Sequence, residues 1–306
     1  MVASKVDLSV QIAGLKLNNP LILASGFLGI SGAMLRRVAQ EGAGGVVTKS
    51  FGVNAREGYP GPVITEVPCG FLNSLGLPNP GSEGMKDEIR EAKKGVVPVV
   101  ASIYGFNDDD YGKAASVARE AGADALELNV SCPHVEEVGV EIGRDPELVS
   151  RVTKAARSNF DGPLIVKLSP NVSDIVEIAD AAARAGANAL TAINTVRAMA
   201  INIEARRPIL GGKFGGLSGP AMKPIALRCV YEIFGKVTLP IIGCGGITNW
   251  RDVVEFLLAG ASAVQVGSIL VDRDLDVFRE LTEGLRTYMS SHDNARLDEI
   301  IGTAHV

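Results

Sequence analysis

Four apolar runs along the chain each begin at a proline: Pro20-Leu21-Ile22-Leu23, Pro98-Val99-Val100-Ala101, Pro163-Leu164-Ile165-Val166 and Pro240-Ile241-Ile242-Gly243. Proline has no N–H for a sheet ladder and is tolerated at the first position of a strand. A second series interleaves with the first. Ala-rich helical patterns end at Glu41-Gly42-Ala43-Gly44, Ala121-Gly122-Ala123-Asp124, Ala185-Gly186-Ala187-Asn188 and Ala259-Gly260-Ala261-Ser262, each followed by another apolar run. Glycine just past a helix end supplies the left-handed cap. Both series recur every 65 to 80 residues or so, about the length of two βα units, and they advance together. The pattern predicts four strand–helix–strand–helix units, and so eight βα units.

Continuous apolar strands alternating with helices imply a parallel sheet covered by helices. Eight such units in about 250 residues predict a closed (β/α)8 TIM barrel. Its strands are expected near 21–24, 45–49, 97–103, 125–129, 163–168, 189–194, 240–244 and 263–267. Ahead of them, Asp7 to Leu17 alternate apolar and polar around Ala13-Gly14, which predicts a short N-terminal β-hairpin. Asp145-Pro146, and Asn249 before Trp250-Arg251-Asp252, read as helix starts. Two connections, 50–84 and 195–220, are long and rich in glycine, and both follow even-numbered strands. Loops of that length are usually functional, and these are expected over the C-terminal face, where barrel active sites form. No linker or low-complexity segment divides the chain, so residues 1–306 are expected to form a single domain.

Composition narrows the function classes. The 306 residues are 46% hydrophobic and 21% charged with a net charge of −5, which gives no basic footprint for nucleic acid. Cysteines stand at 69, 132, 229 and 244, with no Cys-x-x-Cys pair, so neither a metal site nor a disulfide framework is expected. The start, Met1-Val2-Ala3-Ser4-Lys5-Val6-Asp7, has no apolar signal core, and no window reaches the roughly 18 apolar residues of a membrane span. A cytoplasmic protein without a membrane anchor is expected.

The strand ends carry the candidate chemistry. They read Ser25-Gly26, Lys49-Ser50, Ser102, Asn129 with Cys132, Lys167, Asn194-Thr195, Gly245-Gly246 and Gly267-Ser268. Two lysines, amides and a thiol converging at one rim are more than packing requires. A free cysteine alone is most often a buried small hydrophobe, and Cys69, Cys229 and Cys244 are read that way. The glycine turns after the last two strands, with Gly215-Gly216-Leu217-Ser218-Gly219, suit a phosphate held by backbone N–H groups. The ligand would be a phosphorylated substrate or a cofactor with a phosphate tail.

Several stretches together carry a family resemblance. Asn73-Ser74-Leu75-Gly76-Leu77-Pro78-Asn79, Asn129-Val130-Ser131-Cys132-Pro133, Val166-Lys167-Leu168-Ser169-Pro170-Asn171, Ile193-Asn194-Thr195, Gly216-Leu217-Ser218-Gly219-Pro220 and Gly245-Gly246-Ile247 resemble dihydroorotate dehydrogenase, in order and over nearly the whole chain. Lys167-Leu168-Ser169-Pro170-Asn171-Val172 and Ala221-Met222-Lys223-Pro224-Ile225-Ala226-Leu227-Arg228 are most similar to the NAD-linked class 1B catalytic subunit. The quinone-using class has an N-terminal extension and a serine base, where this chain has Cys132.

The resemblance implies oxidation of dihydroorotate to orotate in pyrimidine synthesis with bound FMN. A hydride leaves C6 and a proton leaves C5; by its place in the motif Cys132 is the base. Cofactor contacts are implied for Ser25, Lys49, Ser50, Ser102, Asn129, Lys167, Ile193, Gly219, Gly245, Gly246, Gly267 and Ser268. Substrate contacts are implied for Lys49, Asn73, Ser74, Leu75, Gly76, Leu77, Asn129, Asn194 and Thr195. Ser102 departs from the family, which has a flavin-contacting asparagine there. The chain has neither a dinucleotide fingerprint nor cluster cysteines. A partner subunit with FAD and a 2Fe-2S cluster is therefore implied, together with a homodimer within a heterotetramer. The alternatives are a fumarate-linked (class 1A) enzyme, a dihydropyrimidine dehydrogenase module and, of different chemistry, a flavin-free lyase with Lys167 or Lys49 as Schiff base. A non-enzymatic ligand-binding barrel is the third class.

Overall fold

The computed structural model describes residues 6–130 and 142–306. The chain opens with an antiparallel hairpin, β1 (Val10–Ile12) and β2 (Leu15–Leu17). Then β3 (Leu21–Leu23), α1 (Gly32–Gln40) and β4 (Gly45–Val47) begin the main fold. The first long connection forms β5 (Ile64–Val67) and β6 (Gly70–Asn73) before α2 (Gly81–Ala92). Next come β7 (Val99–Ile103), α3 (Asp108–Glu120), β8 (Ala125–Asn129), α4 (Pro146–Arg157), β9 (Leu164–Lys167), α5 (Ile175–Arg184) and β10 (Ala189–Ala192). The second long connection holds β11 (Val196–Ala198), β12 (Ile201–Asn202), β13 (Arg207–Pro208) and β14 (Gly215–Ser218). The chain ends through α6 (Lys223–Phe234), β15 (Ile241–Cys244), α7 (Trp250–Leu258), β16 (Ala261–Val266) and α8 (Val277–Ser291).

Eight parallel strands close in the order β10-β15-β16-β3-β4-β7-β8-β9, a (β/α)8 barrel with a helix after each strand. The proline series has a physical role in it. The carbonyls of Pro20, Pro98, Pro163 and Pro240 accept ladder bonds from Val264, Val46, Leu126 and Leu190 N–H at 2.8, 3.1, 2.9 and 3.0 Å. Each proline thus joins the sheet through its acceptor alone. The glycine series turns the chain out of each helix: Gly42, Gly122, Gly186 and Gly260 have φ of 108, 82, 104 and 113°. Both helix-start signals hold as well. Asp145 Oδ1 accepts from Glu147 N at 2.8 Å and Leu148 N at 3.3 Å, and Asn249 forms a capping box with Asp252.

The barrel interior is layered. Ile22, Val47, Val100, Ala125, Ile165, Ala189, Ile242 and Ala263 form an apolar floor, and hairpin residues Ile12, Leu15 and Leu17 pack beneath it as a plug. One pleat period toward the C-terminal ends the interior turns polar, with Ser102, Glu127, Lys167, Thr191, Cys244 and Gln265. Above that layer the barrel opens. The two long connections are not simple loops. β11, β14, β6 and β5 pair as one antiparallel sheet, with Gly216 opposite Asn73. Among the described residues no helix is long and apolar enough to cross a membrane.

Candidate active site

A cavity of about 640 Å³ opens at the C-terminal ends of the barrel strands. This lies within the range of roughly 300–1,000 Å³ usual for small-molecule sites. Ser25 follows β3; Lys49 and Ser50 follow β4; Asn129 ends β8; Lys167 ends β9; and Ile193, Asn194 and Thr195 follow β10. Asn73, Leu75, Gly76 and Leu77 reach in from the segment after β5. Gly219, Gly245, Gly246, Gly267 and Ser268 line the remaining wall.

Among the described residues, two of the expected ones do not line the cavity. Ser102 is fully buried and does not line the cavity; its hydroxyl lies 2.8 Å from Ser50 Oγ, from beneath. A serine is too short to reach past Ser50, so the contact expected of Ser102 becomes support for Ser50. Ser74 is also fully buried, beside Gly212, where a Cβ would lie 2.3 Å from Ser74 Oγ. Its Oγ has no hydrogen-bond partner among the described residues. Cys132 lies outside the described residues.

Hydrogen bonds knit one side of the cavity. Ser50 Oγ is 3.1 Å from Ser25 Oγ and accepts from Asn129 Nδ2 at 3.2 Å. Asn194 Nδ2 donates to Asn129 Oδ1 at 3.1 Å, and Asn194 Oδ1 accepts from Thr195 N at 2.8 Å. Amides in a chain of this kind are oriented, each with its donor and acceptor ends assigned.

The opposite side is backbone. Gly219, Gly245 and Gly246 have φ of 102, 134 and 75°, values that favour glycine. A Cβ on Gly246 would lie 2.6 Å from Lys223 N and 2.9 Å from Gly219 O, so the turn after β15 packs directly on the entry to α6. Asp252 braces this turn. It accepts from Thr248 N at 2.7 Å, Thr248 Oγ1 at 2.8 Å and Asn249 N at 3.1 Å, and pairs with Lys223 at 2.7 Å. Burial pushes the Asp252 carboxyl up, but the hydrogen bonds from Lys223 and Thr248 outweigh it and hold the carboxyl below its ordinary range.

Two lysines line the cavity, and among its described lining residues there is no carboxylate. The site therefore favours anions. Lys167 is 5% exposed and donates to Gln265 Oε1 at 2.7 Å. Burial pulls its ammonium down, yet Cys244 and Glu127 together carry it above the ordinary lysine value. Cys244 is itself pushed up by burial.

Several lining residues escaped the strand-end reading. Cys244, read above as structural packing, lines the cavity beside Lys167. Gln265 and Phe71 line it too. A signal existed for Gln265, since a lone amide in the apolar run Ala263-Val264-Gln265-Val266 marks the inward face. Cys69, read as a packed small residue, is exposed at the β5–β6 turn with φ of 63°. Cys229 is buried, as expected.

The donor set fits a flavin mononucleotide. Gly26 is extended, with φ of 170°, and a Cβ there would meet only Ala24 O at 4.0 Å. Neither its backbone nor its protein neighbours call for glycine; the space in front of it does. Glycine turns suit the phosphate and a buried ammonium suits an electron-rich ring edge.

Comparisons with known proteins agree with this geometry. The family model described as dihydroorotate dehydrogenase matches residues 7–289. Similar proteins include the "Dihydroorotate dehydrogenase B (NAD(+)), catalytic subunit" of Pyrococcus furiosus, 50% identical over 98% of this chain and 99% of that protein. The protein of the same name from Pyrococcus abyssi is 51% identical over 97% of this chain and 99% of its own length. That from Methanocella arvoryzae is 46% identical over 98% of both. The chain belongs to the dihydroorotate dehydrogenase family.

Proposed function

We propose that this chain is the FMN-bearing catalytic subunit of an NAD-linked dihydroorotate dehydrogenase, oxidising (S)-dihydroorotate to orotate in pyrimidine synthesis. The observation that carries this is the cavity, which is cationic, with oriented amides on one wall and glycine turns on the other. FMN, when bound, supplies the acceptor for the hydride that leaves C6 of the substrate.

The chain's own residues do the rest. Asn73, Asn129, Asn194 and Thr195 bind the planar substrate, whose ring amides and carboxylate need both donors and acceptors. Lys49 adds charge for the substrate carboxylate. Cys132 takes the C5 proton, which lies α to a carbonyl and is acidic enough for a positioned thiolate. Gly219, Gly245, Gly246, Gly267 and Ser268 hold the phosphate side, and Lys167 stands at the ring side. Proton and hydride leave adjacent carbons, and the C5=C6 double bond forms between them.

The electrons leave through a partner subunit carrying FAD and a 2Fe-2S cluster, on their way to NAD. In the assembly we propose, two copies of this chain form a homodimer that binds two such partners. The deciding experiment is an anaerobic visible spectrum before and after adding dihydroorotate. A flavin band that bleaches is expected; a colourless protein, or a flavin that stays oxidised, overturns the reading. Turnover with NAD only when the partner is present, and none with fumarate, is expected of the NAD-linked class.

A further inference from the structure

One buried acid in the barrel serves neither the fold nor the substrate directly. Glu127 is fully buried on β8, in the polar layer directly above the apolar floor. Its Oε2 accepts from Gln265 Nε2 at 2.5 Å and from Thr191 Oγ1 at 2.9 Å. Its Oε1 has no hydrogen-bond partner among the described residues and lies 3.9 Å from Lys167 Nζ. Gln265 sits on β16, across the barrel, and the same amide that donates to Glu127 accepts from Lys167 at 2.7 Å. Lys167 itself lines the cavity, and Glu127 does not.

An arrangement of this kind is costly to bury, and a half-paired carboxylate more so. Packing alone would be met by apolar side chains, as it is one layer below by Ala125, Ile165 and Ala189. Among the described residues, the titratable groups facing Lys167 are Glu127 on β8 and Cys244 on β15; β10 offers Thr191 and β16 offers Gln265, which do not titrate. Lys49, also cationic, lines the same cavity. Burial pushes the Cys244 thiol up, while Lys167 pulls it down. Glu127 brings its carboxyl to 3.9 Å from the Lys167 ammonium and is tied to it through Gln265, a geometry that couples the two across the barrel.

We propose that Glu127 is a positioning residue for Lys167: through Gln265 it fixes the ammonium at the bottom of the cavity and keeps it protonated whether the bound flavin is oxidised or reduced. The inference rests on the flavin reading above. It makes the electron affinity of the cofactor depend on a residue that lies one layer below the cavity.

The test is the flavin midpoint potential against pH, from pH 6 to 9, in wild type, Glu127→Gln and Glu127→Asp. In wild type Lys167 keeps its proton, so reduction draws no extra proton through this site. In Glu127→Gln the oxidised enzyme loses the Lys167 proton within this range and regains it on reduction. The slope then steepens by one proton per two electrons. Glu127→Asp keeps the charge and returns the wild-type slope. A Glu127→Gln titration superimposable on wild type overturns the proposal, as does a Glu127→Asp titration as steep as Glu127→Gln. If Glu127→Gln holds no flavin, melting of the flavin-free proteins decides. The double variant Lys167→Met/Glu127→Gln is expected to melt above Lys167→Met alone, because it leaves no unpaired acid; a double variant that melts lower refutes the pairing. Wild type that does not bleach with dihydroorotate would instead sink the flavin reading itself.

Discussion

Asn194 donates its side-chain amide to Asn129 Oδ1 across 3.1 Å, joining the ends of β10 and β8 at the cavity wall. Asn129 also donates to Ser50 Oγ at 3.2 Å, so it serves both the amide wall and the serine cluster. The two residues should therefore fail differently. Asn194→Ala is expected to lower kcat/KM for dihydroorotate by roughly 10- to 100-fold, the worth of one or two buried hydrogen bonds, with flavin content unchanged. Asn129→Ala is expected to lower both. Steady-state kinetics together with the flavin-to-protein absorbance ratio would separate them, and equal flavin loss in both variants would contradict the division.

The proposed base is tested by Cys132→Ala. It should keep the flavin and the fold but slow flavin reduction by dihydroorotate by about 10²- to 10⁴-fold, the usual worth of a positioned general base. Anaerobic stopped-flow at the flavin band measures this directly. A reduction rate at the wild-type level would remove Cys132 from the mechanism.

Gly26 offers a test of the cofactor site that leaves the fold alone. Its backbone is extended and a Cβ there meets only Ala24 O at 4.0 Å. Gly26→Leu should therefore melt as the wild-type apoprotein does, within about 0.5 kcal/mol. It should nevertheless purify nearly free of flavin, because its side chain occupies the space in front of β3. A yellow, fully loaded Gly26→Leu protein would place the cofactor elsewhere.

Asp252 makes a prediction about acid. Its carboxyl is held below the ordinary range by Lys223 and Thr248 against the push of burial. A depressed carboxylate contributes stability above its unfolded value of about 3.9, and loses it as pH falls through the folded value. Asp252→Asn is thus expected to cost about 2 kcal/mol at pH 7, typical of hydrogen bonds to a charged group. The gap from wild type should close below about pH 4. Denaturant titrations at pH 7 and pH 3.5 check the sign; a gap that widens in acid would be the wrong one. Because Asp252 braces the turn behind Gly246, flavin retention should fall with it.

The barrel was legible because its signals are local and repeated. Pro98 opens a strand and Gly122 closes a helix through their own backbone restrictions, whatever lies across the core. The cavity rim followed, since strand ends follow from strands. The sheet over the mouth did not follow. β6 pairs with β14, Gly216 opposite Asn73, across 143 residues of sequence, and Gly215-Gly216 gives no alternation to read. Ser102 lies one side chain below the cavity, under Ser50, a depth set by a neighbour from another strand. Glu127 lay in plain view within Ala125-Leu126-Glu127-Leu128-Asn129, on the same face as Asn129. An acid inside an apolar strand could have marked the polar layer, but its partners Gln265 and Thr191 come from distant strands.

The hairpin beneath the barrel has a consequence for proton traffic. Ile12, Leu15 and Leu17 pack hydrocarbon beneath the floor, so among the described residues the polar layer faces solvent through the mouth. Ligands filling that mouth would lengthen the path from solvent to Lys167. Proton exchange at the polar layer should then be slower with substrate bound than without it, and a pH jump should reach the substrate-free enzyme first.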